Sequence, residues 1–224
     1  MGYHNRGPYS EMSTSGDIGT SAETATRGVR QRAKAEAARA EILATAARMM
    51  RRVGYSEMSL RDLAAEVNMK AGSLYYHFAS KDELATEVMR IGVQAIEAVV
   101  RKGLDEAVGR SPAERLSIAI RIHLETLLEK SDFVSSHIRC YPFVPEVVRE
   151  NLRDVRRSYD QVWVQLIQDF LGPGATNETV RYIRFVLTGA LNGSVEWFNP
   201  NRDSISDYAR TIERMLANLT VAGR

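Results

Sequence analysis

Ser59-Leu60-Arg61-Asp62-Leu63-Ala64-Ala65-Glu66-Val67, then Asn68-Met69-Lys70, then Ala71-Gly72-Ser73-Leu74-Tyr75-Tyr76-His77-Phe78 is the stretch that decides the fold. Ser59 stands three residues before Asp62, a capping spacing that opens a helix. Leu60, Leu63, Ala64 and Val67 then share one helical face. Asn68 tolerates the left-handed backbone that a tight turn between helices demands. After the turn, Leu74 and Phe78 stand four apart on the inner face of a second short helix. Ser80-Lys81-Asp82-Glu83 repeats the capping pattern and predicts a long helix to about Val108. Upstream, Ile42, Leu43, Ala46, Met49, Met50 and Val53 have helical spacing from about Ala33, and Gly54 closes that helix. Three helices, the last two joined by a tight turn, form a helix-turn-helix.

The physical use of such a pair is to lay its second helix in a DNA major groove while the first crosses the backbone. Lys70, Ser73, Tyr75, Tyr76, His77 and Lys81 supply cationic, hydroxyl and imidazole groups for that task. Ala71 and Gly72 have no bulk, so the start of the helix can approach DNA closely.

Working outward, every remaining pattern is helical. Ser111-Pro112-Ala113-Glu114 opens a helix with Leu116, Ile120, His123, Leu124 and Leu127 on one face. A short helix is expected over Phe133–Tyr141. A long one starts at Pro145, carries Val148, Leu152, Val155, Tyr159, Val162, Trp163, Leu166 and Phe170, and stops at Gly172-Pro173-Gly174. Two more are expected over Glu178–Phe198 and Ser206–Leu219. The reading is an all-α chain of about nine helices with no strand and no internal repeat. Residues 1–26, rich in Gly, Ser and Thr, are expected to be a flexible tail. The helix-turn-helix domain is expected over residues 27–86 and a second helical domain over residues 87–224.

Charge sharpens this division. The 224 residues carry a net charge of only +2, which argues weakly against nucleic acid. Residues 27–52, however, hold eight Lys and Arg against Glu36 and Glu41, while residues 91–224 are balanced. A local +6 leading into the helix-turn-helix is a footprint for a polyanion. One Cys excludes an internal disulfide framework, and no apolar run approaches the ~20 residues of a membrane helix. Residues 1–26 also lack the apolar core of a secretion signal, so the expected location is the cytoplasm, with no membrane partner.

Met58 to Val67, Ala71 to Phe78, and Ser80-Lys81-Asp82-Glu83-Leu84 together resemble the DNA-binding domain of TetR family transcriptional regulators. The specific part is Leu74-Tyr75-x-x-Phe78 followed by Ser80-Lys81-Asp82-x-Leu84, and the close match spans about residues 36–86. The resemblance implies roles: phosphate contacts for Ser59 and Lys81, groove contacts for Lys70, Ala71, Gly72 and Ser73, and backbone or base contacts for Tyr75, Tyr76 and His77. It makes the stretch containing Arg30, Arg32 and Lys34 an arm on the DNA. Two positions depart from the family pattern: Asn68 stands where Gly is frequent, and Lys70 where Ser or Thr caps the helix.

The same resemblance implies that residues 87–224 form a ligand-binding and dimerisation domain. The partners are then a double-stranded operator with an inverted repeat, a second copy of the chain, and a small-molecule effector that releases a repressor from DNA. The small residues Gly189, Ala190, Gly193 and Ser194 allow close helix approach at a dimer interface. Ala190 to Pro200 is similar to a stretch in the regulators of lipid and acyl-CoA catabolism, which implies an apolar tunnel and an acyl-CoA or other apolar ligand. Candidate pocket residues are the polar and aromatic groups on apolar faces: His123, His137, Arg139, Tyr141, Phe143, Tyr159, Trp163, Asn192, Glu196 and Trp197. His137-x-x-Cys140 has too few companions for a metal site, so neither metal nor cofactor is expected. No nucleophile–base pair or phosphate loop points to an enzyme.

Overall fold

The computed structural model describes the backbone of residues 18–221 and the side chains of residues 26–218. Its elements are α1 (Ile18–Glu57), α2 (Leu60–Glu66), α3 (Ala71–His77), α4 (Lys81–Glu106), α5 (Pro112–Glu125), α6 (Asp132–Cys140), α7 (Glu146–Asn151), α8 (Arg153–Leu171), α9 (Asn177–Trp197) and α10 (Ile205–Val221). A π-helical turn, Thr126–Lys130, joins α5 to α6, and a 3-10 turn, Tyr141–Phe143, follows α6. The described residues contain no strand.

Two boundaries differ from the sequence expectation. The helix expected from Ala33 already runs from Ile18, so residues 18–26 of the expected tail are helical. Thr20, Ser21, Thr24, Thr26 and Gly19 dominate there and no apolar stripe runs through them, so neither propensity nor periodicity gives a sign of the helix. The rest of that tail, residues 1–17, lies outside the described residues. At its other end α1 is interrupted at Gly54, whose φ of 85° takes it out of the helical region.

The second difference raises the helix count to ten α-helices among the described residues. The long helix expected from Pro145 breaks at Leu152 (φ −97°, ψ −5°) into α7 and α8. No Gly or Pro forces the break; packing accounts for it. Val148 and Leu152 are buried with Ile42, Met50, Leu63, Leu74 and Phe78 in one apolar core. Tyr159, Val162, Trp163 and Leu166 are buried in a second core with α5, α9 and α10. One straight helix would present a single stripe, whereas the break lets the two stripes turn to different cores.

Helix α4 links both cores: Leu84, Ala85, Val88 and Met89 lie in the first, and Val93, Ile96, Val100 and Leu104 in the second. At the changeover, Gly92 allows α6 to come close. A Cβ there would meet the Phe133 carbonyl oxygen at 2.4 Å. The π-helical turn beside α6 leaves carbonyls without the usual helical donors. Ser135 Oγ donates to the Leu127 carbonyl at 2.6 Å and satisfies one of them.

Candidate functional site

The helix-turn-helix is built by local chemistry. Ser59 caps α2, its Oγ accepting from the Asp62 amide at 3.0 Å and donating to the Asp62 carboxylate at 2.6 Å. Asn68 holds φ at 54°, the left-handed turn its side chain permits. The amide of Met69 then donates to the Ala64 carbonyl at 2.8 Å and closes α2. Lys70 starts α3 with no side-chain cap, as expected where Ser or Thr is replaced. Ser80 Oγ accepts from the Glu83 amide at 3.1 Å, and Glu83 accepts from the Ala79 amide at 2.8 Å. Leu63, Ala64, Leu74 and Phe78 are all buried, which fixes α3 against α2.

This burial turns the other face of α3 to solvent. Lys70, Ala71, Gly72, Ser73, Tyr75 and Tyr76 are exposed, with Tyr76 at 85%. His77 is half-buried, its ring edge-on to Tyr76 at 5.4 Å. A Cβ at Gly72 would meet nothing within 4 Å, so packing within the chain does not require glycine there. Lys81 is half-buried, with its ammonium 4.4 Å from the Tyr55 ring centroid and donating to the Ser56 carbonyl at 3.1 Å. Two of its three protons stay available for a phosphate. The Tyr55 hydroxyl donates to the Asp82 carboxylate, and burial followed by that carboxylate raises its pKa. The hydroxyl of Ser59 is already committed to Asp62, so a phosphate contact from it requires rotation off that carboxylate. Arg30, Arg32 and Lys34 lie exposed on α1.

A second site lies inside the later helices. A cavity of about 140 Å³ brings together His123, His137, Tyr159, Trp163 and Asn192, five of the ten expected pocket residues. Three of them form a chain. Tyr159 Oη lies 2.8 Å from His123 Nδ1, and His123 Nε2 lies 3.0 Å from Asn192 Oδ1. The neutral tautomer satisfies both, with Tyr159 donating to Nδ1 and Nε2–H donating to Asn192. Burial drives the His123 pKa down to about 4 and that of the Tyr159 hydroxyl up. His137 is also buried, and burial, reinforced by the Arg156 charge, lowers its pKa to about 3. Its Nδ1 has no hydrogen-bond partner among the described residues.

The other five expected pocket residues lie elsewhere. Arg139 is exposed and donates to the Arg51 carbonyl at 3.0 Å. Tyr141 sits under the Arg156 guanidinium, 3.5 Å from the ring centroid. Phe143 and Glu196 are exposed, and Trp197 packs edge-on against Tyr208 at 4.9 Å. Cys140 does not join His137; its thiol donates to the Met50 carbonyl at 3.4 Å, and burial raises its pKa to about 11.

The cavity wall also contains Arg156, Asp160, Arg184 and Thr188, which the sequence reading did not select. Arg184 donates to Asp160 at 2.9 Å. Their spacing held a signal: Arg184, Thr188 and Asn192 are four apart, and Arg156, Tyr159, Asp160 and Trp163 share one face. Charged residues on long helices read as solvated, which hides that signal.

A capped helix-turn-helix with an exposed outer face on its second helix, followed by helices that enclose a cavity, is the build of a DNA-binding regulator. The profile of bacterial regulatory proteins, tetR family, matches residues 42–88, and that of the tetracyclin repressor-like C-terminal domain matches residues 109–220. The chain belongs to the tetR family of bacterial regulatory proteins, and it is a DNA-binding transcriptional regulator. It is 25% identical over 169 residues to the HTH-type transcriptional repressor KstR2 of Mycolicibacterium smegmatis, covering 72% of this chain and 80% of that protein. Two solved structures share the fold. AibR in complex with isovaleryl coenzyme A and operator DNA aligns with a TM-score of 0.69 at 23% identity, over 80% of this chain and 97% of that one. The ketosteroid transcriptional regulator KstR2 of Mycobacterium tuberculosis aligns with a TM-score of 0.61 at 22% identity, over 83% of this chain and 93% of that one.

Proposed function

We propose that the chain works as a homodimeric repressor that is released from an inverted-repeat operator when a small, largely apolar metabolite enters the α4–α9 cavity. The observation that carries the DNA half is the bare outer face of α3, where Tyr75, Tyr76, Lys70 and Ser73 stand in solvent around the open space over Gly72. Large exposed tyrosines beside a cation suit a phosphate and base-edge surface. Lys81 and Ser59 flank this face for the backbone, and Arg30, Arg32 and Lys34 serve as the arm.

Dimerisation follows from α9. Tyr182, Val186, Gly189, Ala190, Gly193 and Trp197 line one outward stripe, and α10 adds exposed Met215. Nothing lies within 4 Å of a Cβ at Gly189 or Gly193, so a second helix can approach closely there. Ser194 faces inward instead, donating to the Leu191 carbonyl at 2.6 Å. A two-fold pair of chains places two α3 helices on successive major grooves, ~34–36 Å apart. A ligand that favours another spacing lowers operator affinity by population shift.

AibR with its bound acyl-CoA supports an acyl-CoA as the effector class, and a cavity whose wall mixes Val93, Ile96, Val134 and Phe185 with His123, His137 and Asn192 offers both apolar and hydrogen-bonding contacts to such a ligand. Selection from random duplex DNA tests the reading. Enriched sequences should contain an inverted repeat whose half-sites are about 10 bp apart, centre to centre. Enrichment of a single unrepeated site, or of none, would defeat it.

A further inference from the structure

A strongly cationic groove lies apart from both the α3 face and the α4–α9 cavity. Its volume is about 560 Å³, a size that suits a small-molecule site. Arg48, Arg51 and Arg52 of α1 and Arg139 of α6 line it, and the end of α9 adds Val195 and Phe198. The groove shares no lining residue with the cavity. Leu127 and Leu128 bring the π-helical turn to the same wall. Such turns are rare and cluster at functional sites.

Four guanidiniums against the single carboxylate of Asp132 leave the lining at a net +3. Their pairing within the chain is light. Arg51 donates to Asp132 at 2.6 Å, Arg52 to Glu66 at 3.3 Å, Arg48 to Thr45 Oγ1 at 2.7 Å and Arg139 to the Arg51 carbonyl at 3.0 Å. A guanidinium has five N–H donors, so each keeps several for a ligand. Positions 48, 51 and 52 are three and four apart, which sets these side chains on one face of α1. Like charges held together repel, and an anion among them relieves that cost.

The number of forks selects the anion. A carboxylate brings one charge and two oxygens, whereas a phosphate monoester brings nearly two charges and three strong acceptor oxygens. The opposite wall is apolar: Leu128, Val195 and Phe198 are only partly buried and offer surface to an organic group. Arg51 to Asp132 and Arg139 to the Arg51 carbonyl also tie α1 to α6 across this groove. It therefore straddles the junction between the helix that carries the helix-turn-helix core and the later helices.

We infer that this groove is a second small-molecule site, for a water-soluble phosphate monoester of a small apolar alcohol. The phosphate lies among Arg48, Arg51, Arg52 and Arg139, and the organic group lies against Val195 and Phe198. A ligand there fastens α1 to α6 and to the end of α9. The inference is independent of what fills the cavity.

Calorimetric titration of the full chain with phenyl phosphate, inorganic phosphate, benzoate and benzyl alcohol tests it. Phenyl phosphate should bind at least about tenfold more tightly than inorganic phosphate or benzoate, and benzyl alcohol should not bind. The double variant Arg48→Gln/Arg52→Gln, at exposed positions, should weaken phenyl phosphate at least about tenfold. Val195→Glu, which sets a carboxylate in the groove, should weaken it to a similar degree and serves if the double variant does not fold. Phe198→Ala should weaken phenyl phosphate about fivefold and leave inorganic phosphate unchanged. Thr188→Phe, on the cavity wall, should leave phenyl phosphate binding unchanged. No binding of phenyl phosphate, equal binding of benzoate or inorganic phosphate, full affinity in the arginine variant, or loss of binding in Thr188→Phe would each overturn the inference. Weaker operator binding by the arginine variant with phenyl phosphate affinity intact would assign these arginines to the DNA backbone and overturn it as well.

Discussion

Lowering the pH from 7 to 5 should destabilise the folded chain by about 4 kcal/mol, through His123 and His137. Both are buried and neutral, with pKa values pushed down to about 4 and about 3 from an ordinary 6.5. Unfolding returns each imidazole to water, where it binds a proton below pH 6.5. The unfolded state therefore holds more protons between pH 6.5 and pH 4, and stability falls as pH drops through that window. At pH 5 the distance from 6.5 is 1.5 units, worth about 2 kcal/mol for each histidine. That sum is a large share of a typical 5–15 kcal/mol total. Glu114, Asp203 and Glu213 have lowered pKa values, so the stability they add is present above the carboxylate range and is lost only at lower pH. The window from pH 7 to 5 thus isolates the histidines. Urea unfolding at both pH values measures the effect, and His137→Leu should remove about half of it. Equal stability of the parent chain at pH 7 and pH 5, or full pH dependence retained in His137→Leu, would show that neither buried imidazole gains a proton on unfolding.

Three further outcomes follow from the same geometry. Tyr75→Ala or Lys81→Ala should weaken operator binding by about 1 kcal/mol or more in a protein that still folds, and for Lys81→Ala the slope of log affinity against log salt should become about one unit less steep. Gly92→Ala sets a Cβ 2.4 Å from the Phe133 carbonyl and forces α4 and α6 apart, so denaturation should show a loss of about 1–3 kcal/mol. Val186→Arg buries a charge twice in a two-fold interface, so sedimentation equilibrium should report at least about a hundredfold weaker dimer.

The sequence revealed most where local chemistry decides the outcome. Ser59, Asn68 and Ser80 announced the caps and the left-handed turn, and Leu63, Ala64, Leu74 and Phe78 announced the inner face. These are short-range effects, written in residues three or four apart. Long-range packing left fainter marks. The break at Leu152 serves two cores that no single periodic stripe describes. The π-helical turn at Thr126–Lys130 depends on Ser135, which reaches back eight residues to the Leu127 carbonyl. That His123, His137, Tyr159, Trp163 and Asn192 line one cavity is legible in the sequence, because a polar or aromatic group on an apolar face is conspicuous. That Arg156, Asp160 and Arg184 share its wall is not legible, because a charge on a long helix is ordinarily solvated. Arg139 and Phe143 were selected by the same rule as His137, yet they sit on exposed faces of the α6 region. Only the third dimension separates these cases.

In the proposed function one chain both reads a specific DNA sequence and gives it up to a cavity-bound ligand. A single fluorescence-anisotropy titration tests both halves, using a labelled duplex with the selected inverted repeat, random DNA as competitor, and isovaleryl-CoA added at saturation. The account predicts a specificity ratio of at least about 10³ over random DNA, and a fall in operator affinity of at least tenfold with ligand. A ratio near one, or an operator affinity that stays constant while calorimetry shows the cavity filled, would contradict it.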